Sequence, residues 1–580
     1  MKILFFAPHA GVWIHAFPEA LVADALQQEG HEIIYVGCGG LLNTHCVSMS
    51  AFGVPYEGTA SAKDRICTLC KKNEAIIRTG FSFSGPDLTT LIGDADLSFA
   101  DDLLAVTARE DYFELAVDGV EVGKIALYEI LIQIKKGTLD LSESEWQRYR
   151  ANLRNSVLVL RIAQRLLDEV RPDRIVLYNA LYAVNRIVCR LAESRGIPQY
   201  YLHAGDNLSN RLQTLVLARN HAFFYYSYLR SIWPEIRDRP CAHGAMKSST
   251  DHLLEVAKGR SAWAYSAASK RGVDIRKIFG IRDEQKIICA TMSSDDERFG
   301  GEVVGVLPSL DGILFPKQVD WIRALVEYAA PRKDLFLLIR VHPREFPNKR
   351  ESVLSEHAKT LMSAFTSLPD NVKINWPTDG ISLFDLANVT DVFANGWSSA
   401  GKEMAWLGVP VVLYSRDLTL YPPDLNYVGT SKAEYFRQID RAVLDGWDAE
   451  RIRKTYRWCA IEYEYSPLDI SDSFARDEHG SYLQKGIKKI LRTIAPTREQ
   501  KSDLRRRAPR LSASDRINRV FNRQLNSAVN FEDLGPEISR QEETQALKSE
   551  LRRIVKGLYG TSADIGKNTL AYKLKHFADS

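Results

Sequence analysis

FLLIRVHPRE (residues 336–345) and DVFANGWSSAGKEMAWLGVPVVLYS (residues 391–415) are the stretches whose reading decides the fold. From Phe336 to Val341 every position but Arg340 is apolar, the pattern of a strand buried on both faces, and His342-Pro343-Arg344 stand at its carboxyl end. In open α/β sheets that end is where ligands bind. The second stretch repeats the logic. Val392 to Ala394 reads as a strand, Asn395-Gly396 turns the chain, and Ser398 or Ser399 caps a helix running from Lys402 to Leu407. Gly408 and Pro410 end that helix, and Val411 to Tyr414 is the next strand. A strand, a Gly/Ser turn and a capped helix start form an anion site, because unpaired N–H groups and the helix dipole face the ligand. With Glu403 in the first helical turn, and with His342 and Arg344, the set points to a phosphate carrying a ribose.

In this order the residues resemble the C-terminal nucleotide-binding domain of GT-B glycosyltransferases. More narrowly, they are similar to a bacterial group that builds capsular and lipopolysaccharide surface glycans and carries a His-Pro motif. That group includes sialyl- and Kdo-transferases and, distantly, the CDP-glycerol phosphotransferases. His342-Pro343 matches the His-Pro motif, and Ser398-Ser399 matches a paired-hydroxyl motif that touches phosphate. Glu403 falls where many such enzymes hold the ribose. The resemblance also implies that Ser293 and Ser294, after the strand Lys286 to Thr291, meet the donor phosphates, and that Ser382 cradles the base.

The amino-terminal end opens as a second Rossmann-like half. Lys2 to Ala7 and His31 to Val36 read as strands flanking a helix from Phe17 to Gln28. The loop between lacks a full G-x-G-x-x-G, so no dinucleotide site is read there. The resemblance implies that this first loop faces the cleft and carries the base that deprotonates an acceptor hydroxyl, which makes His9 and His15 candidates, and an imidazole that titrates near neutrality suits the task. The resemblance adds Asp118, whose Asp118-Gly119 pair is the surviving part of an acidic-acidic-Gly motif, with Val117 where a second acid is expected. Further on, Ser142 to Val170 reads as a long helix, and a β-α-β over residues 174–202 places Asn179 and His203 on the acceptor side of the cleft. A charged helix is expected from Asp251 to Lys270.

Four of the eight cysteines cluster: Cys38, Cys46, Cys67 and Cys70, the last two as C-x-x-C. Four thiolates would make a closed structural site for zinc or an iron–sulfur cluster, with unliganded thiols as the alternative. No cofactor is expected for catalysis. Eight cysteines in 580 residues without a signal peptide do not read as a disulfide framework. A net charge of +3 does not call for nucleic acid, and no apolar run is long enough to span a bilayer.

The expected architecture is α/β: two Rossmann-like domains facing a cleft, plus an α-helical tail. Residues 1–285 form the acceptor-side domain with the cysteine cluster and a helical insertion, 286–495 bind the nucleotide-sugar, and 496–580 are a basic helical tail. Arg- and Lys-rich helical patterns at 514–529 and 544–558 suit an anionic membrane face, an assembly-complex partner or packing on the body. The expected location is cytoplasmic or peripheral at the inner face of the membrane. The function expected is transfer of a sugar from a nucleotide-activated donor to a glycan or lipid-linked acceptor. Its rivals are a CDP-alditol phosphotransferase, a nucleotide-sugar epimerase and a noncatalytic scaffold of a polysaccharide assembly complex.

Overall fold

Strand-forming runs of β-branched and aromatic residues build two six-stranded sheets. A computed structural model of the chain describes residues 1–261, 265–270, 273–348, 351–476, 497–529, 534–535, 537–560 and 566–580. The first sheet holds β1 (Lys2–Phe6), β2 (Glu32–Val36), β3 (Arg174–Tyr178), β4 (Gln199–Ala204) and β5 (Thr214–Arg219). The second holds β6 (Lys286–Thr291), β7 (Leu335–Arg340), β8 (Val372–Asn375), β9 (Val392–Asn395), β10 (Val411–Leu413) and β11 (Tyr427–Val428). A last short strand, β12 (Leu468–Asp469), returns to the first sheet.

The orders are β12-β5-β4-β3-β1-β2 and β11-β10-β9-β6-β7-β8. The second sheet is parallel throughout, whereas β5 runs antiparallel to β4 and β12 antiparallel to β5. Each order reverses once, between β1 and β3 in one lobe and between β6 and β9 in the other. Beyond the carboxyl ends of such strand pairs lie the crevices where doubly wound sheets take ligands. Two Rossmann-like sheets with a cleft between them make the GT-B arrangement.

Local sequence explains most element ends. The long helix Glu143–Val170 is capped by Ser142 with Glu145 reaching back to the Ser142 amide at 2.8 Å. The helix expected over residues 251–270 instead spans His243–Lys258, because Gly259 takes a left-handed conformation with φ 58° and closes it.

Of the settings expected for the segment after residue 496, packing on the body is the one seen, and it involves both lobes; the expected boundary at 495/496 lies outside the described residues. Ile517, Val520 and Phe521 of the helix Ser514–Arg523 join the core formed by Phe17, Tyr200 and Leu217. The helix Arg540–Leu558, capped by Ser539 with Glu542, packs on the helix His243–Lys258. Its Glu543 is fully buried and accepts from Arg453, Arg457 and the Cys241 amide at 2.8–2.9 Å. Burial alone would raise this carboxyl, but Arg457, the Cys241 amide and Arg453 hold it below its ordinary value.

Candidate functional site

A cavity of about 270 Å³ opens in the cleft, lined from both lobes. The second lobe contributes Thr291 and Met292 at the end of β6, Arg340 and His342 at the end of β7, and Ser398, Ser399, Lys402 and Glu403 beyond β9. The first contributes Asp206, two residues past β4. The helix Ala449–Ala460 runs on into a π-helical turn, Ile461–Tyr465, which turns Glu462 and Tyr463 into the cavity.

Two imidazoles in this cavity have their tautomers fixed by backbone. His342 Nδ1 accepts the Arg344 amide at 3.3 Å, and His252 Nδ1 accepts the Leu208 amide at 3.0 Å. A neutral ring that accepts at Nδ1 carries its proton on Nε2, so each is a donor at the other nitrogen. Both rings are neutral at physiological pH. Burial, then Arg344, Arg340 and Lys135, lower His342 to about 3; burial, then Lys402 and Arg211, hold His252 well below the ordinary range.

The two cations differ in what holds them. Arg340 donates to Asn375 Oδ1 at 2.7 Å and Ile381 O at 3.0 Å, both neutral acceptors. Glu403, Asp385 and Asp379 act on it through space, but among the described residues none forms an ion pair with it, so its charge can still meet an anion in the cavity. Lys402 donates to both Glu462 oxygens at 2.6 Å and to the Tyr463 hydroxyl at 2.7 Å, a pair already neutralised.

Of the donor residues expected from sequence, His342, Ser398, Ser399 and Glu403 converge here. Ser399 donates to Glu403 Oε1 at 2.9 Å. Arg344, expected at the phosphate, is instead buried behind the wall and held by Asp296 at 2.8 Å, Glu351 at 2.7 Å and the Ile132 carbonyl of the first lobe at 2.8 Å. With the buried amine of Lys135, which donates to Arg344 O and Phe346 O at 2.6 and 3.2 Å, it clamps the His-Pro loop across the cleft. Ser293, Ser294 and Ser382 are likewise buried behind the wall. They accept the Trp397 amide at 3.0 Å, donate to Asp296 at 2.8 Å and cap the helix Leu383–Ala387, respectively.

The expected bases lie elsewhere. His9 and His15 line a small cavity of about 10 Å³ at the ends of β1 and β3, with Glu19, Tyr178 and Asn185. Burial lowers His9 to about 4; burial, then His203, His9 and Arg211, lower His15 to about 3. Both His9 ring nitrogens are buried without a hydrogen-bond partner among the described residues, and His15 stacks on Tyr178 with centroids 4.2 Å apart. Asp118 is exposed on a turn, with φ 49°, and accepts from Gln164 at 2.8 Å. Neither Asn179 nor His203 lines the cleft cavity.

Sequence reading passed over Asp206, Arg340, Lys402, His252 and Glu462. Asp206 accepts the Tyr226 hydroxyl at 2.9 Å, and burial, then Glu462, push its carboxyl up to about 6. A carboxylate poised near neutrality at the cavity wall suits proton abstraction.

Cys38, Cys46, Cys67 and Cys70 do come together, around a separate cavity of about 20 Å³ in the first lobe. Among the described residues, however, no three His, Cys, Asp or Glu side chains are disposed to share a metal ion. The structure thus gives the expected zinc or iron–sulfur site its residues but not its coordination geometry. Burial pushes the Cys46 thiol up to about 12 and raises Cys70 as well. Cys70 accepts the Gly11 amide at 3.1 Å, which anchors the first βα loop.

No family model and no curated protein matches the chain. Solved structures do. KpsC of Thermosulfurimonas dismutans, a β-Kdo 2,4 transferase, is 14% identical over 52% of this chain and 82% of its own, with a TM-score of 0.32. A UDP-GlcNAc 2-epimerase of Methanocaldococcus jannaschii, in complex with UDP-GlcNAc and UDP, is 12% identical over 80% of this chain and 99% of its own, TM-score 0.27. CalG4, the calicheamicin glycosyltransferase, is 14% identical over 85% and 99%, TM-score 0.25. Superpositions this loose transfer neither an activity nor a residue role. Among the described residues no helix is long and apolar enough to cross a membrane.

Proposed function

We propose that the chain transfers a glycosyl group from a nucleotide-activated sugar to a hydroxyl acceptor, at the cavity between its lobes. The single observation that carries this reading is the pairing, across one cavity, of a cation hydrogen-bonded to neutral groups with a poised carboxylate: Arg340 on the second lobe, Asp206 on the first. Arg340, the Nε2–H of His342 and the Ser398 and Ser399 hydroxyls receive the donor phosphate. Glu403 accepts a ribose hydroxyl. As the bond between the anomeric carbon and the phosphate oxygen breaks, the electron pair leaves with the phosphate. These donors then bind a growing negative charge more tightly than they bound the substrate. The acceptor hydroxyl attacks the anomeric carbon and passes its proton to Asp206.

Thermal unfolding against CMP, CDP, UDP, GDP and ADP tests the reading, with wild type and His342→Ala side by side. A nucleotide at a hundred times its dissociation constant adds about 2.7 kcal/mol of stability. A shift for wild type that the variant loses is the expected result; no shift with any nucleotide overturns it. Consumption of a nucleotide-sugar with no acceptor present would point to epimerisation, and phosphorus in the product to phosphoalcohol transfer.

A further inference from the structure

The helix Arg498–Arg506 segregates its charges by side rather than scattering them. At 100° per residue, Lys501, Arg505, Arg498, Ser502 and Arg506 follow one another around an arc of about 140°. Opposite that arc are Gln500, which is buried, and Leu504, which packs against Gly80 of the helix Ala60–Phe81. The two carboxylates of the helix point to the flank. Glu499 accepts from Arg476 at 2.9 Å, and Asp503 accepts from Arg476 and from Trp13 Nε1, the latter at 2.8 Å. With its acids tied down, the outward arc carries four cations and the hydroxyl of Ser502. Arg498, Lys501, Arg505 and Arg506 are all exposed, and among the described residues none of the four has an ion-pair partner. The bias extends beyond the helix: between residues 497 and 529 there are nine Lys and Arg against three Asp and Glu.

We propose that this arc is a docking surface for an anionic lipid bilayer, held at the headgroups without insertion. The composition selects that occupant. A protein partner is anchored by apolar and aromatic groups packed at the centre of an interface, and single-stranded nucleic acid by aromatic platforms. The arc holds neither. Amphipathic insertion needs an apolar face turned outward, but here the apolar side is buried in the first lobe. What remains complementary is a plane of negative charge, to which each cation adds attraction that salt screens over about a Debye length.

The test is co-sedimentation of the full chain with phosphatidylcholine vesicles, with and without phosphatidylglycerol, at low and high salt. It needs no nucleotide or acceptor, so its failure is distinct from failure of the proposed reaction. Wild type is expected to pellet with anionic vesicles only and to be released by salt. Arg505→Glu/Arg506→Glu is expected to lower partitioning by at least roughly thirtyfold. Lys359→Glu/Lys373→Glu, the same charge change on exposed second-lobe residues, is expected to leave it nearly unchanged. Arg498→Gln/Lys501→Gln, checked for an unaltered unfolding midpoint, gives the same readout should the double reversal fold poorly. Equal binding to neutral vesicles, equal losses in the arc and control variants, or retention of single-stranded oligonucleotide in preference to anionic vesicles would each overturn the proposal.

Discussion

The two lobes reverse their strand order at equivalent places, and the chain fills those places in opposite ways. At β1 and β3 the first lobe packs His9, His15, Glu19 and Tyr178 together, leaving about 10 Å³ and, among the described residues, several polar atoms with no hydrogen-bond partner. At β6 and β9 the second lobe leaves about 270 Å³, and its histidine is oriented by a backbone amide. Burial depresses the imidazoles of both places alike. Topology therefore nominates a crevice, and a low histidine pKa does not distinguish a site from a core. The distinction lies in whether charge is compensated by protein or left for a ligand.

The sharpest way to break the comparison is Asp206→Asn. If proton abstraction sits in the cleft, turnover falls by about 10²–10⁴-fold. In wild type kcat/KM also declines as pH drops through about 6, because the base must be ionised, and the variant loses that limb. An unchanged pH profile in Asp206→Asn, with turnover lost instead in His9→Asn, would reverse the roles of the two crevices.

Next in size are the clamps. Glu543→Ala leaves Arg453 and Arg457 without their shared carboxylate, and Arg344→Met removes the cation from buried Asp296 and leaves Glu351 with Lys135. Each is expected to cost about 3–5 kcal/mol in chemical denaturation. Arg340→Gln should act the other way round. Its partners are neutral, so nucleotide affinity falls by about 1.5–3 kcal/mol while the unfolding midpoint of the unliganded chain stays close to wild type. If Arg344→Met instead weakened nucleotide binding with the fold intact, the sorting of the two arginines by their partners would be wrong.

The smallest effect concerns the crevice of the first lobe. His9 is neutral when folded down to about pH 4, whereas an unfolded histidine takes a proton near 6.5. Between those values the unfolded state binds more protons, so stability falls as pH falls, by about 1.4 kcal/mol per pH unit for each such histidine. His9→Asn should flatten the acid limb of stability by that amount. An identical limb in the variant would mean that His9 is not buried as described.

What was legible in the sequence was local. The apolar run ending at His342 and the turn with Ser398 and Glu403 fixed a strand, a helix start and four cavity residues. Arg340 was visible too, as the one charge in an apolar strand, but a side chain's partners cannot be read from its neighbours in the chain. For the same reason Arg344 looked free, since Asp296 reaches it from the first turn of the helix Asp295–Val303 and Glu351 from a loop. Asp206 follows Gly205 at a strand end, a faint signal, and His252 and Glu462 gave none, because each enters the cavity from a helical segment far away in sequence. The return of the chain to the first sheet was illegible for a simpler reason: β12 is two residues long and carries no period.

That return has a consequence for the order in which the chain acquires structure during synthesis. The edge of β5 stays unpaired until Leu468 and Asp469 have been made, and the side of the helix Trp13–Gln28 that meets Ser514–Arg523 stays uncovered until Phe521 follows. The amino-terminal lobe therefore cannot finish folding while the ribosome is still translating the second one. A fragment ending near residue 285 would present an open strand edge and a bare apolar face, the combination that leads to aggregation. The nascent chain has to keep its first half waiting for its last.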